Sequence, residues 1–181
     1  MNKKLIAVVL SLCLAAGGGF MYYAGQPASI GSIKEYIPAV HKDFCMRQFK
    51  EHQWLLFADP NPKLDHILDT QSPNMYEPQF HGKMSIKLLY RDREPAGFVT
   101  YYMQTQYQGR ILFLVVDSKF QGTGCGRTLM LHAIEELTKM GAKTIKLFTR
   151  HENIRAQKLY ESLGFVKEDS DKVGLFYRKK L

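Results

Sequence analysis

The chain is poor in cysteine: Cys13, Cys45 and Cys125 are the three among 181 residues. Isolated thiols at these spacings make neither a disulfide framework nor a zinc-ligand set, so no metal is expected. There is no arginine-rich run and no nucleic-acid module, so nucleic acid is not an expected partner despite a formal net charge of +8. Internal repeats are absent. So is any bias toward disorder, because 45% of the residues are hydrophobic and enough apolar surface is available to fill a core. The length suits one domain. Without Lys3 and Lys4 the charge falls from +8 by two, to +6, which still favours an anionic ligand. Arg178, Lys179 and Lys180 read as a solvated end rather than a binding patch.

Two familiar phosphate motifs are missing as well. No Gly-x-x-x-x-Gly-Lys-Ser/Thr occurs, since Arg127 and Thr128 follow Gly126. The dinucleotide fingerprint requires an acidic residue about 20 positions on, at the end of the next strand; the strand expected over 144–149 carries none. What is present is an apolar run over 111–116, a turn with glycines at 122, 124 and 126, and then an amphipathic stretch. Strand, glycine turn, helix is the arrangement that cradles phosphate. Glycine lets the backbone approach an anion, and the first helical N–H groups face it with the positive end of the helix dipole. A pyrophosphate ligand is therefore expected. The pattern filled is Gln-x-x-Gly-x-Gly, by Gln121, Gly124 and Gly126, and downstream stand Asn153, Ala156, Leu159-Tyr160 and Gly164-Phe165. Together these resemble the two signatures of the GNAT N-acetyltransferases, over roughly residues 33–181.

The resemblance implies an α/β (α+β) fold with a mixed, twisted central sheet flanked by helices, splayed open beside the fourth strand. It implies an enzyme that moves the acetyl group of acetyl-CoA directly to a primary amine of a small molecule or protein. The alternative is a non-catalytic, membrane-tethered CoA-binding module with the same fold. Cofactor contacts are expected from the turn Gln121, Gly122, Thr123, Gly124, Cys125, Gly126 and Arg127, from the backbone of Leu114 and Val116, and from Asn153 and Tyr160. Val116 would polarise the thioester carbonyl. Tyr160 matches the family tyrosine that protonates the departing thiolate. Cys125 reads as a variable loop position. The family positions for a basic glutamate hold Arg110 and Phe148, which leaves Asp117, Glu77, His81 or a water-mediated route for deprotonating the amine.

Residues 1–25 form a separate segment: Lys3 and Lys4, an apolar run from Leu5, then three glycines at 17–19. This describes a secretory signal peptide, with a cleavage site near Ala16 and Gly18, or a membrane anchor over 5–24. Either places the domain at or beyond a membrane, although a domain facing the cytoplasm suits acetyl-CoA better. Residues 26–31 read as a linker and 32–181 as the acetyltransferase domain. Within that domain, alternation predicts a strand over 32–37, ended by Pro38, and then a helical region over 40–57 with Phe44, Phe49, Trp54 and Leu55 in the core. A turn at 59–62, a helix over 63–69 and a loop over 71–82 containing Tyr76 follow. A hairpin is expected with a turn over 91–96. The helix over 124–140 should bury Leu129, Ala133, Ile134, Leu137 and Met140, with Gly141 as its stop. A helix over 154–163 should be capped by Asn153 and ended by Gly164, and strands near 165–167 and 173–178 close the chain.

Overall fold

Pro38 starts a helix rather than merely ending a strand. At the first helical position its missing N–H has no carbonyl to meet, so the ring is tolerated there. The preceding Ile37 has no side chain able to cap. His41 serves instead: its Nδ1 accepts from the Ile37 N–H at 2.8 Å, and its Nε2 lies 3.0 Å from the Tyr90 hydroxyl. An imidazole with one ring nitrogen accepting must be neutral, and burial, with Lys34 nearby, holds His41 below the usual histidine range. The folded protein thus binds that proton less readily than the unfolded chain. The stability from this contact is complete above about pH 6.5 and is lost as pH falls through the depressed folded value. Thermal melts between pH 7.5 and 5 should show a falling midpoint, and His41→Gln should flatten that dependence.

The computed structural model describes residues 31–57, 62–73, 78, 80 and 82–181. In chain order these form β1 (Ser32–Glu35), α1 (Pro38–Glu51), α2 (Gln53–Leu56), α3 (Leu64–Thr70), β2 (Ser85–Arg91), β3 (Glu94–Met103), β4 (Gln108–Val116), a 3-10 turn (Ser118–Phe120), α4 (Cys125–Lys139), β5 (Thr144–Arg150), α5 (Ile154–Ser162), β6 (Val166–Ser170) and β7 (Gly174–Lys180). The strands make one mixed sheet in the order β1-β2-β3-β4-β5-β7-β6. Every pairing is antiparallel except β4 with β5. Among the described residues no helix is long and apolar enough to cross a membrane. Residues 1–30, and with them the expected leader or anchor and most of the linker, lie outside the described part, as do Tyr76, Glu77 and His81.

Two cores sandwich the sheet. Leu129, Ala133 and Leu137 of α4, all fully buried, pack with Val99, Ile145 and Leu147 on one face. Phe44, Cys45 and Phe49 of α1 and Ile67 and Leu68 of α3 pack on Leu88, Phe98 and Phe113 on the other. Met130 belongs to the first core, whereas Met140, expected there, is half exposed because α4 has already ended at Lys139. The hairpin turn is tighter than its sequence suggests. Arg91 pairs with Glu94 around Asp92 and Arg93, both at positive φ (52° and 68°), which matches the handed twist of two antiparallel strands. Pro95 is accommodated inside β3 beside a register shift, where a missing N–H is harmless.

Two features of the sheet create the site. β4 and β5 pair only at Gln108–Thr144, Gly109–Ile145 and Arg110–Lys146, after which the strands diverge. In β4 an extra residue, Leu112, interrupts the register with β3. The Phe113 N–H there finds the Thr100 hydroxyl at 3.0 Å instead. The bulge changes which side chains face which core: Ile111 joins the α4 side, whereas Phe113 and Val115 join the α1 side. Leu114 and Val116 therefore turn toward α4 and the gap that β5 has vacated.

Candidate active site

The gap is a cleft of about 520 Å³. One wall is β4 at Leu114, Val115 and Val116, and the opposite wall is α5 and the residues leading into it, from Glu152 to Tyr160. Gln121, Gly122, Gly124, Gly126 and Arg127 form one end, and His52, Trp54, Leu55 and Leu56 line it from the α2 side. Beyond Arg110 the edge of β4 that faces β5 carries no strand pairing, so backbone groups there can serve a ligand.

The glycine turn is built as a cradle. Gly122 and Gly124 sit at φ of 80° and 88°, the left-handed region, and a β-carbon added at either would meet nothing within 4 Å. Glycine is needed there for backbone conformation, not for room, and the open space lies where a ligand would approach. α4 begins directly after Gly124, and its first i→i−4 bond runs from Thr128 N–H to Gly124 O at 3.0 Å. The amides of Cys125, Gly126 and Arg127 precede that bond and point their dipole toward the cleft. Surrounding contacts hold the turn rigid. Gln121 Nε2 donates to Val116 O at 3.1 Å, its Oε1 accepts from Arg155, and the Thr123 hydroxyl donates to Phe120 O at 2.7 Å. Arg91 adds a bond to Thr123 O at 3.2 Å.

Of the residues expected at the site, Leu114, Val116, Gln121, Gly122, Gly124, Gly126, Arg127, Asn153 and Tyr160 all line the cleft. Thr123 and Cys125 do not. Cys125 is buried with its Sγ 3.3 Å from the Thr123 hydroxyl, so these two side chains shape the turn from behind. Asn153 caps α5 by accepting from Ala156 N–H at 3.2 Å. Asp117 is absent from the lining, and both its oxygens are engaged. Oδ1 accepts from Lys119 N–H at 3.0 Å, capping the 3-10 turn, and Oδ2 accepts from Gln48 Nε2 at 2.8 Å. The geometry gives Asp117 a holding role and weighs against it as a base.

Tyr160 lies on α5 with 6% of its surface exposed, its ring against Phe165 and Tyr177. Burial, and secondarily the neighbouring Tyr177, push its hydroxyl above the ordinary tyrosine range, so it stays protonated at neutral pH. Glu152 sits at the mouth, more than half exposed; its own backbone N–H, with Arg150 beside it, holds its carboxyl below the usual range.

Trp54 and Leu55 correct the sequence reading. They were expected in the core, yet Trp54 is 59% exposed, α2 buries no residue, and both line the cleft. The reason is that α1 ends at Glu51, and His52 breaks the helical phase that would have carried Trp54 onto the buried stripe. Ala156 and Leu159 of the second signature line the site as well, and so do His52, Leu56, Glu152, Ile154 and Arg155, which were not singled out. Ile154 and Arg155 were within reach of the sequence, since they stand between Asn153 and Ala156. His52 carried no motif.

Residues 46–165 match the family model described as the acetyltransferase (GNAT) family. The chain belongs to this family. It is 38% identical over 101 residues to the [ribosomal protein bS18]-alanine N-acetyltransferase of Salmonella typhimurium, covering 55% of this chain and 66% of that one. It is 31% identical over 111 residues to a mycothiol acetyltransferase of Thermomonospora curvata, covering 61% and 37%. The matched region thus spans less than two thirds of either relative. A solved structure of a ribosomal-protein-alanine N-acetyltransferase from Brucella melitensis superposes with a TM-score of 0.66 at 16% identity, covering 83% of this chain and 99% of that one, which supports the same fold. GNAT proteins use acetyl-CoA, and the features of this cleft suit it: an open glycine cradle for pyrophosphate, a free strand edge for an amide-bearing arm, and Arg127 and Arg155 for phosphate charge.

Proposed function

We propose that this protein is an N-acetyltransferase that transfers the acetyl group of acetyl-CoA directly to a primary amine. The observation that carries the reading is one cleft joining a glycine cradle at a helix N-terminus, an unpaired β4 edge and a buried tyrosine. Bound acetyl-CoA supplies an activated thioester carbonyl. The amides of residues 122–127 hold the pyrophosphate. The backbone of Leu114 and Val116 aligns the arm, with the Val116 N–H polarising the carbonyl. Tyr160 gives a proton to the departing sulfur. Because its burial makes a phenolate costly, it must regain a proton from the reacting nitrogen in the same step. Trp54, Leu55 and Leu56 give the acceptor side an apolar wall.

The acceptor is an amine-bearing small molecule or polypeptide, and the named substrate of the Salmonella relative makes an alanine-initiated peptide the first to try. The test incubates the full chain with acetyl-CoA and a panel of alanine-initiated peptide, spermidine and lysine, and reads thiol release beside calorimetric binding. At least one amine should raise release above the amine-free rate. Binding without turnover across the panel would favour the non-catalytic CoA-binding module. We further propose that residues 1–25 place the domain at a membrane or export it. Fractionation with sequencing of the mature N-terminus distinguishes anchor from signal peptide, and a full-length chain found only in the soluble fraction would remove both.

A further inference from the structure

Proton removal from the acceptor amine is unassigned among the residues described so far. Of the described residues that line the cleft, His52 and Glu152 are the two with an imidazole or carboxylate. Glu152 is a weakened base, as its own backbone N–H and Arg150 stabilise its charged form. His52 follows the last residue of α1 and lines the cleft. Its Nε2 is enclosed and has no hydrogen-bond partner among the described residues. Four residues earlier, Gln48 is fully buried, and its Oε1 is likewise enclosed and unpartnered. The orientation of the Gln48 amide is fixed, because the Asp117 carboxylate at 2.8 Å demands its NH₂ group. A donor-capable nitrogen and an orphan acceptor thus lie one helical turn apart on one face, where i and i+4 side chains meet.

We propose that His52 is the general base of the acetyl transfer, with Gln48 and Asp117 as its positioning residues; the proposal rests on the acetyltransferase reading above. The two atoms do not bond each other directly; one water accepting from His52 Nε2–H and donating to Gln48 Oε1 joins them, and Asp117 anchors Gln48 from the end of β4. This fixes the tautomer and leaves Nδ1 with its lone pair free. An incoming ammonium gives one proton to His52. The C–N bond then forms as the C–S bond breaks, and the second nitrogen proton passes through Tyr160 to the sulfur, so the products are the amide, the thiol and protonated His52. The charged groups nearest in the chain are Lys50 and Glu51, those that line the same cleft are Arg127, Glu152 and Arg155, and Asp117 is joined to Gln48.

The test compares the full-length wild type, His52→Gln and Gln48→Leu. Coenzyme A release from acetyl-CoA is followed from pH 5.5 to 9, with an alanine-initiated peptide and with water alone as acceptor. Calorimetry of acetyl-CoA accompanies it. His52→Gln should lower kcat/KM by about 10²-fold or more. It should also flatten the pH dependence of kcat/KM, leave the acetyl-CoA Kd unchanged within about twofold, and recover partly with added imidazole. Gln48→Leu should lower kcat/KM and alter its pH profile without changing the Kd. An unaltered pH profile in either variant, or a loss explained by weaker cofactor binding, overturns the assignment. Wild-type binding without release in either assay removes the acetyltransferase reading, and the assignment with it, while sparing the cradle. Failure of the wild type to bind acetyl-CoA removes the cradle as well.

Discussion

Tyr160→Phe should leave acetyl-CoA binding within about twofold of wild type and lower kcat by about 10²-fold or more, the usual contribution of a positioned acid. The phenol ring fills the corner between Phe165 and Tyr177, and phenylalanine fills it equally well, so packing is kept. The hydroxyl makes no hydrogen bond to any described residue (its ring contacts are what place it), so its removal orphans nothing. Burial raises the cost of ionising Tyr160, which sharpens the prediction. The residue acts only by passing a proton on as it receives one, and phenylalanine abolishes that path. Stopped-flow measurement of thiol release separates this from a binding defect. A variant with wild-type kcat would take the acid role away from Tyr160.

Gly124→Glu should weaken acetyl-CoA binding by at least about 100-fold while leaving the domain folded, because a carboxylate at a helix N-terminus occupies the place where the phosphate charge is stabilised. Gly124 is the N-cap of α4 at φ 88°, and a β-carbon there meets no other atom. The stability cost is then the left-handed strain, roughly 1–2 kcal/mol, a fall of a few degrees in melting temperature rather than unfolding. Gly124→Ala is the control, with the same strain and no charge, and its Kd should move less than tenfold. Calorimetry on both variants reads the difference. Equal binding by wild type and Gly124→Glu would place the pyrophosphate elsewhere.

Much of the fold and of the cofactor half of the site was legible in the sequence because the determinants are local. A glycine with positive φ between a strand and a helix leaves a spacing signature at Gln121, Gly124 and Gly126, and Asn153, Tyr160 and Gly164 mark the start, inner face and end of one short helix. The acceptor half was not legible. Trp54 and Leu55 looked like core because they continue an apolar pattern, and only the break at His52 turns them outward. Asp117 looked like a free carboxylate, and only the approach of Gln48, sixty-nine positions earlier, shows that it is tied down.

The sequence alone therefore determined the family, the glycine turn and the place of Tyr160 on its helix, since those depend on backbone conformation and helical phase over a few residues. The tertiary structure decided which side chains face the cleft, which carboxylate is occupied and which histidine lines the cleft. The physical reason is that the cleft exists only because β4 and β5 stop pairing after Arg110 and Lys146. The groups that fill its walls then come from α2, β4, the turn into α4 and α5, whose mutual packing no local pattern encodes.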